Sequence, residues 1–224
     1  MKTTRKIAAT IISLAISMCA AGTACAAPVV LDFEGATNSA ALNDFYNGGT
    51  DAAGASGVNY GINFSPTSLA LVDSDAGGTG NFGNEPSPST ILFFLSGGAA
   101  TMNVAAGFTT GFSFFYTSSA PGFVNVYEGV NATGALLSTI NLLPNTGTCA
   151  GDPSGAFCAF SAIGVSFMGT ARSVDFGGTA DLIAFDNITL GSETPGGTVP
   201  EPGTFMLLGL AALALATARR GQQH

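Results

Sequence analysis

Apolar residues are distributed in three different ways along this chain. Residues 7–21 form a nearly unbroken apolar run behind a basic start (Lys2, Arg5, Lys6), and residues 205–218 form a second one, followed at once by Arg219 and Arg220. Between these runs, hydrophobic positions come in short segments rich in β-branched and aromatic residues. Gly, Pro, Asn or Ser separates them, which is the pattern of strands joined by turns. Alternation is clearest in Phe112-Ser113-Phe114-Phe115-Tyr116 and Phe123-Val124-Asn125-Val126-Tyr127, where every second side chain would face one side of a sheet. Strands are predicted at 29–33, 58–64, 68–72, 90–95, 99–104, 108–117, 123–127, 136–142, 157–168, 171–176 and 182–190. No helical period runs through this region. Ten or eleven short strands with frequent turns predict an all-β fold, an antiparallel two-sheet β-sandwich of jelly-roll type. Residues 42–57 and 192–198 lack either period and read as an unstructured loop and a flexible spacer.

The two long apolar runs lie outside that domain. Ala24-Cys25-Ala26 supplies small residues after the first run, so residues 1–26 read as a secretory signal peptide cut between Ala26 and Ala27. Lipid modification of Cys19 or Cys25 fits less well, because Met18 precedes the first and Gly22-Thr23 lies upstream of the second. The second run would make a helix of about 21 Å, short of the roughly 30 Å hydrocarbon core. A buried core helix would have the same length, but this run has no polar face to turn toward water. The arginines behind it favour a cytoplasmic C-terminus, which leaves residues 27–198 outside.

Val199-Pro200-Glu201-Pro202, an apolar helix and the Arg219-Arg220 pair together resemble the PEP-CTERM sorting signal of Gram-negative bacteria that make exopolysaccharide. The resemblance implies recognition by an exosortase, a membrane cysteine protease that cuts near the Pro-Glu-Pro, much as a lipid-anchor signal loses its spacer and apolar tail. The chain then divides into a signal peptide (1–26), a β-sandwich ectodomain (27–191), a linker (192–198) and a sorting signal (199–224) with its transmembrane helix at 205–218. The implied route is anchorage in the inner membrane before processing. The cell envelope, outer surface or extracellular matrix follows. Segments 80–88, 107–114, 126–129 and 173–179 are also similar to a subgroup of PEP-CTERM proteins, which supports fold and compartment.

Removing the ends changes the charge balance. Five of the six basic residues leave, so Arg172 stands against thirteen acidic residues, a formal charge of −12 for residues 27–198. Nucleic acid and anionic membrane surfaces are excluded as partners, since both need a basic footprint. Cys149 and Cys158 are the two cysteines left in the ectodomain, and the one histidine is His224. Zinc would need two further ligands. A disulfide closing a Gly/Pro-rich loop in an oxidising compartment is the simpler expectation.

Catalytic residue types are scarce. Without a histidine or lysine in the ectodomain, a Ser-His-Asp triad, a Cys-His pair and a Schiff-base lysine are all excluded. A glycosidase could run on two carboxylates, but no Trp offers a sugar platform. Tyr46, Tyr60, Tyr116 and Tyr127 are the aromatic residues that combine a ring face with a polar tip. Asp73 to Asn81 has the look of a calcium loop, yet Asn84 stands where an EF-hand needs Glu, so it reads as a solvated turn. More informative is an early Asp32-Phe33-Glu34 paired with Asp186-Asn187-Ile188 in the last strand. This arrangement resembles calcium-containing jelly-roll carbohydrate-binding modules. It implies Glu34 and Asp186 as ligands on adjacent strands, Asp32 as an accessory, and structural calcium as a cofactor. The alternative is that these carboxylates are solvated strand ends. The resulting expectation is a non-enzymatic structural or adhesive envelope protein linked to exopolysaccharide, with a calcium-dependent carbohydrate-binding module as the alternative.

Overall fold

A computed structural model describes residues 27–97, 99–150 and 155–196. All eleven expected strands are present: β1 (Val29–Leu31), β2 (Ile62–Phe64), β3 (Leu69–Val72), β4 (Thr90–Phe93), β5 (Ala99–Phe108), β6 (Gly111–Ser118), β7 (Gly122–Tyr127), β8 (Leu136–Leu142), β9 (Ser161–Ser166), β10 (Ala171–Gly178) and β11 (Ile183–Leu190). They form two antiparallel sheets. One has the order β3-β4-β11-β6-β9, with β1 also on β11; the other has the order β2-β5-β10-β7-β8. From β4 onward the chain passes between the sheets at every connection except the β7–β8 hairpin. The central orders β4-β11-β6-β9 and β5-β10-β7-β8 are those of a jelly roll, with β2 and β3 added at the edges.

Alternation along β6 turns Phe112 and Phe114 inward, where they meet Phe185 of β11 and Phe176 of the opposite sheet. The Phe176 ring centroid lies 4.9 Å from Phe185, 6.0 Å from Phe112 and 6.3 Å from Phe114. All four are fully buried. Inclined aromatic contacts of this kind add to the large apolar area each ring removes from water. Beside Phe176, Gly177 lies under the Phe123 ring of β7, in the space a Cβ would fill.

A smaller cluster (Phe82, Ile91, Phe93 and Ala184) occupies the outer face of the first sheet and is covered by Phe157 and Phe160. This explains why β9 is shorter than the predicted 157–168. Residues 157–160 belong to a strap, held by Gly83 N–H donating to the Phe157 carbonyl (3.2 Å) and Ala156 N–H to that of Asn81 (2.6 Å). The expected Cys149–Cys158 disulfide ties this strap, with a Cα separation of 5.1 Å.

Two expectations are corrected. Residues 42–57 contain no strand, but they are not unstructured: Leu42, Phe45 and Tyr46 are core residues. Asp51 fastens the rest of the loop, its carboxylate accepting the N–H groups of Thr37 (2.8 Å), Ala53 (2.9 Å) and Ala55 (2.9 Å). Residues 192–196 are likewise docked. The Ser113 hydroxyl donates to the Ser192 carbonyl (2.9 Å), and Gly196 N–H donates to Thr189 Oγ1 (3.0 Å). The expected signal peptide with Ala26, the Pro200, Glu201 and Pro202 triplet, the helix expected at 205–218, Arg219 and Arg220 lie outside the described residues; Ala27 is the first one inside. Among the described residues no helix is long and apolar enough to cross a membrane.

Because Phe176 joins the sheets, Phe176→Ala is expected to cost about 3–5 kcal/mol. That should lower the melting temperature by about 10 °C. A thermal melt within two or three degrees of the parent's would contradict this account of the core.

Candidate functional site

Strand β11 changes neighbours halfway along one flank. Ala184 and Phe185 pair with Phe93 and Leu92 of β4, whereas Ile188, Thr189 and Leu190 pair with Leu31, Val30 and Val29 of β1. On its other flank, the register with β6 shifts between Asp186 and Thr189, and Asn187 adopts a left-handed φ of 46°. An interruption of this kind re-aims the side chains beside it. Asp186 therefore sits where the ladder is broken, and it is fully buried.

The gap between β1 and β4 is filled by Pro86-Ser87-Pro88-Ser89, which leads into Thr90 of β4. Proline has no N–H, so the free amide donors of this segment are those of Ser87, Ser89 and Thr90. Two carboxylates take them. Asp186 Oδ2 accepts the Ser87 N–H (2.8 Å), and its Oδ1 accepts the Ser87 hydroxyl (2.7 Å) and the Asn187 N–H (2.6 Å). Glu34, just past β1, receives the N–H groups of Ser89 (2.9 Å) and Thr90 (2.8 Å) at Oε1 and the Ser89 hydroxyl (3.0 Å) at Oε2. The expected pair thus comes together around one segment, as a clasp. The Pro86-Ser87-Pro88-Ser89 alternation is visible in the sequence, but nothing in it points to Glu34 or Asp186.

Asp32 plays a different part. Its exposed carboxylate accepts the Glu34 N–H (3.2 Å) and the Tyr46 hydroxyl (3.4 Å), while Tyr46 Oη accepts the N–H of Phe33 (2.7 Å). Burial and the nearby Asp32 charge hold the Tyr46 phenol protonated well above its usual range. Only the Asp32 carbonyl reaches the clasp, 3.1 Å from Ser87 Oγ.

Burial pushes the Asp186 carboxyl up to about 6 against the opposing donors of Ser87 and Asn187, and the Glu34 charge acts in the same upward sense. Ser87 Oγ has one proton and three acceptors in reach: Asp186 Oδ1, the Asp32 carbonyl and the Thr90 carbonyl at 3.2 Å. A proton on Asp186 could be donated to Ser87 Oγ, which would free the hydroxyl hydrogen for a carbonyl. The site can hold one proton without breaking the clasp.

Calcium requires six to eight oxygen ligands. Each carboxylate oxygen of Glu34 and Asp186 already accepts an N–H or O–H donor. Among the described residues no three or more His, Cys, Asp or Glu side chains gather around a common point. The residues present are arranged as a hydrogen-bonded clasp.

The remaining candidates are modest. A cavity of about 30 Å³ on the outer sheet face, lined by Leu71, Phe82, Ile91, Phe93 and Phe157 with Asn81 and Asp181 beside them, has room for a water but not a sugar ring. Tyr46 and Tyr116 are buried and Tyr127 half-buried, which leaves Tyr60 as the exposed tyrosine. In the Asp73 segment, a 3-10 turn at Ser74–Ala76 closes on Gly77 at φ 89°, in keeping with the turn reading.

Comparison with known proteins adds one positive finding. Residues 198–220 match the family model of the PEP-CTERM protein-sorting motif. The motif marks an exported protein sorted by an exosortase. No curated protein matches the chain.

Two outcomes follow from the clasp. Asp186 has an ordinary value of 3.8 and is raised in the fold, so the folded state keeps a proton that the unfolded chain has released. Its stabilising contribution is therefore full below about 4 and is lost as pH rises through about 6. Measured against Asp186→Asn as a reference that does not titrate, the parent should gain up to about 3 kcal/mol between pH 7.5 and pH 4; parallel stability curves would refute the assignment. Excess EDTA and millimolar calcium should both leave the melting temperature unchanged. A rise of several degrees with calcium would restore the cation.

Proposed function

We propose that this protein is a non-catalytic structural or adhesive component of the bacterial envelope, acting in or on the exopolysaccharide matrix. On this reading it is exported by the signal at residues 1–26 and held in the inner membrane by helix 205–218. An exosortase then cuts near Pro200-Glu201-Pro202. The observation that carries the proposal is the sorting motif at 198–220, joined to a domain in which chemistry-bearing side chains are used for structure.

Three features support the non-catalytic part. The ectodomain has neither histidine nor lysine, and Arg172 is its single basic residue. The carboxylates that come together are committed to amide and hydroxyl donors. Asp186 is fully buried, and a general acid or base must come within hydrogen-bond reach of its substrate.

Mass spectrometry of the mature protein from the producing cells tests the sorting scheme. The expected chain begins at Ala27 and ends close to Pro200, and it fractionates with the exopolysaccharide. In cells lacking the exosortase, the tail should be retained and the protein found in the inner membrane. A C-terminus at His224 in exosortase-positive cells would overturn the scheme, and hydrolysis of extracted exopolysaccharide abolished by Glu34→Gln would overturn the non-catalytic reading.

A further inference from the structure

The turn that follows Tyr46 holds a reactive pair of residues. Of the asparagines in the sequence, Asn47 alone is followed by glycine, and no aspartate is. Both Asn47 and Gly48 are exposed. Gly48 adopts a left-handed φ of 76°, and a Cβ there would come within 2.8 Å of Asn59 Nδ2, so the turn requires glycine at this position. The amides on either side are committed: Asn47 N–H (2.8 Å) and Gly49 N–H (3.1 Å) both donate to the Asp44 carbonyl. Between them, Gly48 N–H has no acceptor among the described residues. It belongs to the backbone nitrogen that can close a cyclic imide on Asn47 Cγ. That nitrogen is held by no hydrogen bond and shielded by no side chain of its own.

We propose that Asn47 is a site of spontaneous modification, where water and the chain itself convert the side-chain amide to an acid. Gly48 N attacks Asn47 Cγ and the Cγ–Nδ2 bond breaks. The Gly48 proton, relayed by solvent, leaves with Nδ2 as ammonia. Water then adds to one imide carbonyl and breaks its bond to Gly48 N. Opening at Cγ gives an aspartate at position 47; opening at the main-chain carbonyl gives an isoaspartate, whose backbone is longer by a methylene. Either product disturbs the turn. Asn47 Nδ2 donates to Asp44 Oδ1 (2.9 Å), and an ionised acid has no hydrogen to give. A hydrogen bond is thus exchanged for a contact between like charges. The neighbouring Tyr46 carbonyl accepts Tyr60 N–H (2.9 Å) and Ile62 N–H (3.1 Å), so the change loosens the cover of the β2 edge. An exported molecule is not renewed where it stands, and modified copies accumulate with its age.

The chemistry does not depend on the sorting scheme or on what the domain binds. Protein recovered from exporting cells is incubated folded, and in parallel unfolded, then cut with chymotrypsin and read by mass spectrometry. In the folded sample the peptide carrying Asn47 should gain the mass of an amide-to-acid exchange and elute as two products. Peptides carrying Asn63, Asn131 and Asn141, which are also exposed, should stay unchanged over the same period. Conversion should run several-fold faster at pH 9 than at pH 7, because the ionised fraction of the attacking amide follows hydroxide. The Asn47→Ser variant should show no such products. Anion exchange separates the modified molecules by their added charge, and they should melt below the unmodified ones. A folded chain that stays intact at Asn47 while the unfolded chain converts would overturn the proposal, since the fold would then protect the turn. So would equal rates at Asn47 and the other three asparagines, and identical melting of the two fractions would remove the loosening of the β2 edge.

Discussion

The contact between Asp186 and Ser87 closes the one place where the main sheet is not continuous. Strand β1 leaves β11 at Ile188 and β4 arrives at Phe185, and the segment that bridges them enters from a part of the chain 99 residues away. Without a partner there, a fully buried carboxylate would face an unmet desolvation cost of several kcal/mol. A chain whose only ectodomain cation is Arg172 cannot answer with a salt bridge. It answers with amide and hydroxyl donors, and hydrogen bonds to an ionised acceptor are among the stronger ones available. The alternating prolines serve the same end, because they remove the amides that would otherwise need acceptors of their own.

The rest of the interior follows a related economy. With 17 Phe and no Trp, the core is built from aromatic side chains that have no polar tip to satisfy. Tyr appears inside only where its hydroxyl has work. Tyr46 links Phe33 to Asp32, and Tyr116 donates to the Leu143 carbonyl at 3.1 Å. Phe33 adopts a left-handed φ of 61°, an uncommon conformation for a bulky residue. Its N–H is met by Tyr46 and its ring lies 6.1 Å from those of Tyr46 and Phe64. The turn that carries Asp32 and Glu34 out of β1 is thus fixed by the loop that sequence composition had made look slack.

That contrast shows what a linear reading can reach. All eleven strands were legible because alternation and turn residues are local signals, and β8 was placed to the residue. Loop 42–57 was misjudged because its Gly, Asn and Ala content hides three core anchors, Leu42, Phe45 and Tyr46, which lie too close together to show a period. Glu34 and Asp186 stood out in the sequence, and both take donors from one segment. What holds them was not legible, because it depends on Ser87, Ser89 and Thr90, which no spacing rule links to either end of the domain. The strap at 157–160 read as strand for a comparable reason. Its phenylalanines are as apolar as strand residues but cover the outside of the sheet.

Asp51 and Asp186 show which effect wins when a carboxylate is buried without a cation. Each receives three or more hydrogen bonds. Burial pushes both upward, yet the amide donors of Thr37, Ala55 and Ala53 bring Asp51 below its ordinary range, while Asp186 stays raised. The difference lies first in desolvation, which weighs far more on Asp186 in the sheet than on Asp51 in its loop, and then in the neighbours. Asp51 is held by the backbone amides of Thr37, Ala53 and Ala55, and the Thr37 side chain adds to them. One of the three at Asp186 is a hydroxyl contested by two carbonyls, and the charge of Glu34 acts on the same segment. Donor count alone does not decide the ionisation of a buried acid; the depth of burial sets the opposing cost, and a nearby negative charge adds to it. In this fold the loop is held by a carboxylate that prefers to stay charged, and the strand switch by one whose burial favours the protonated form.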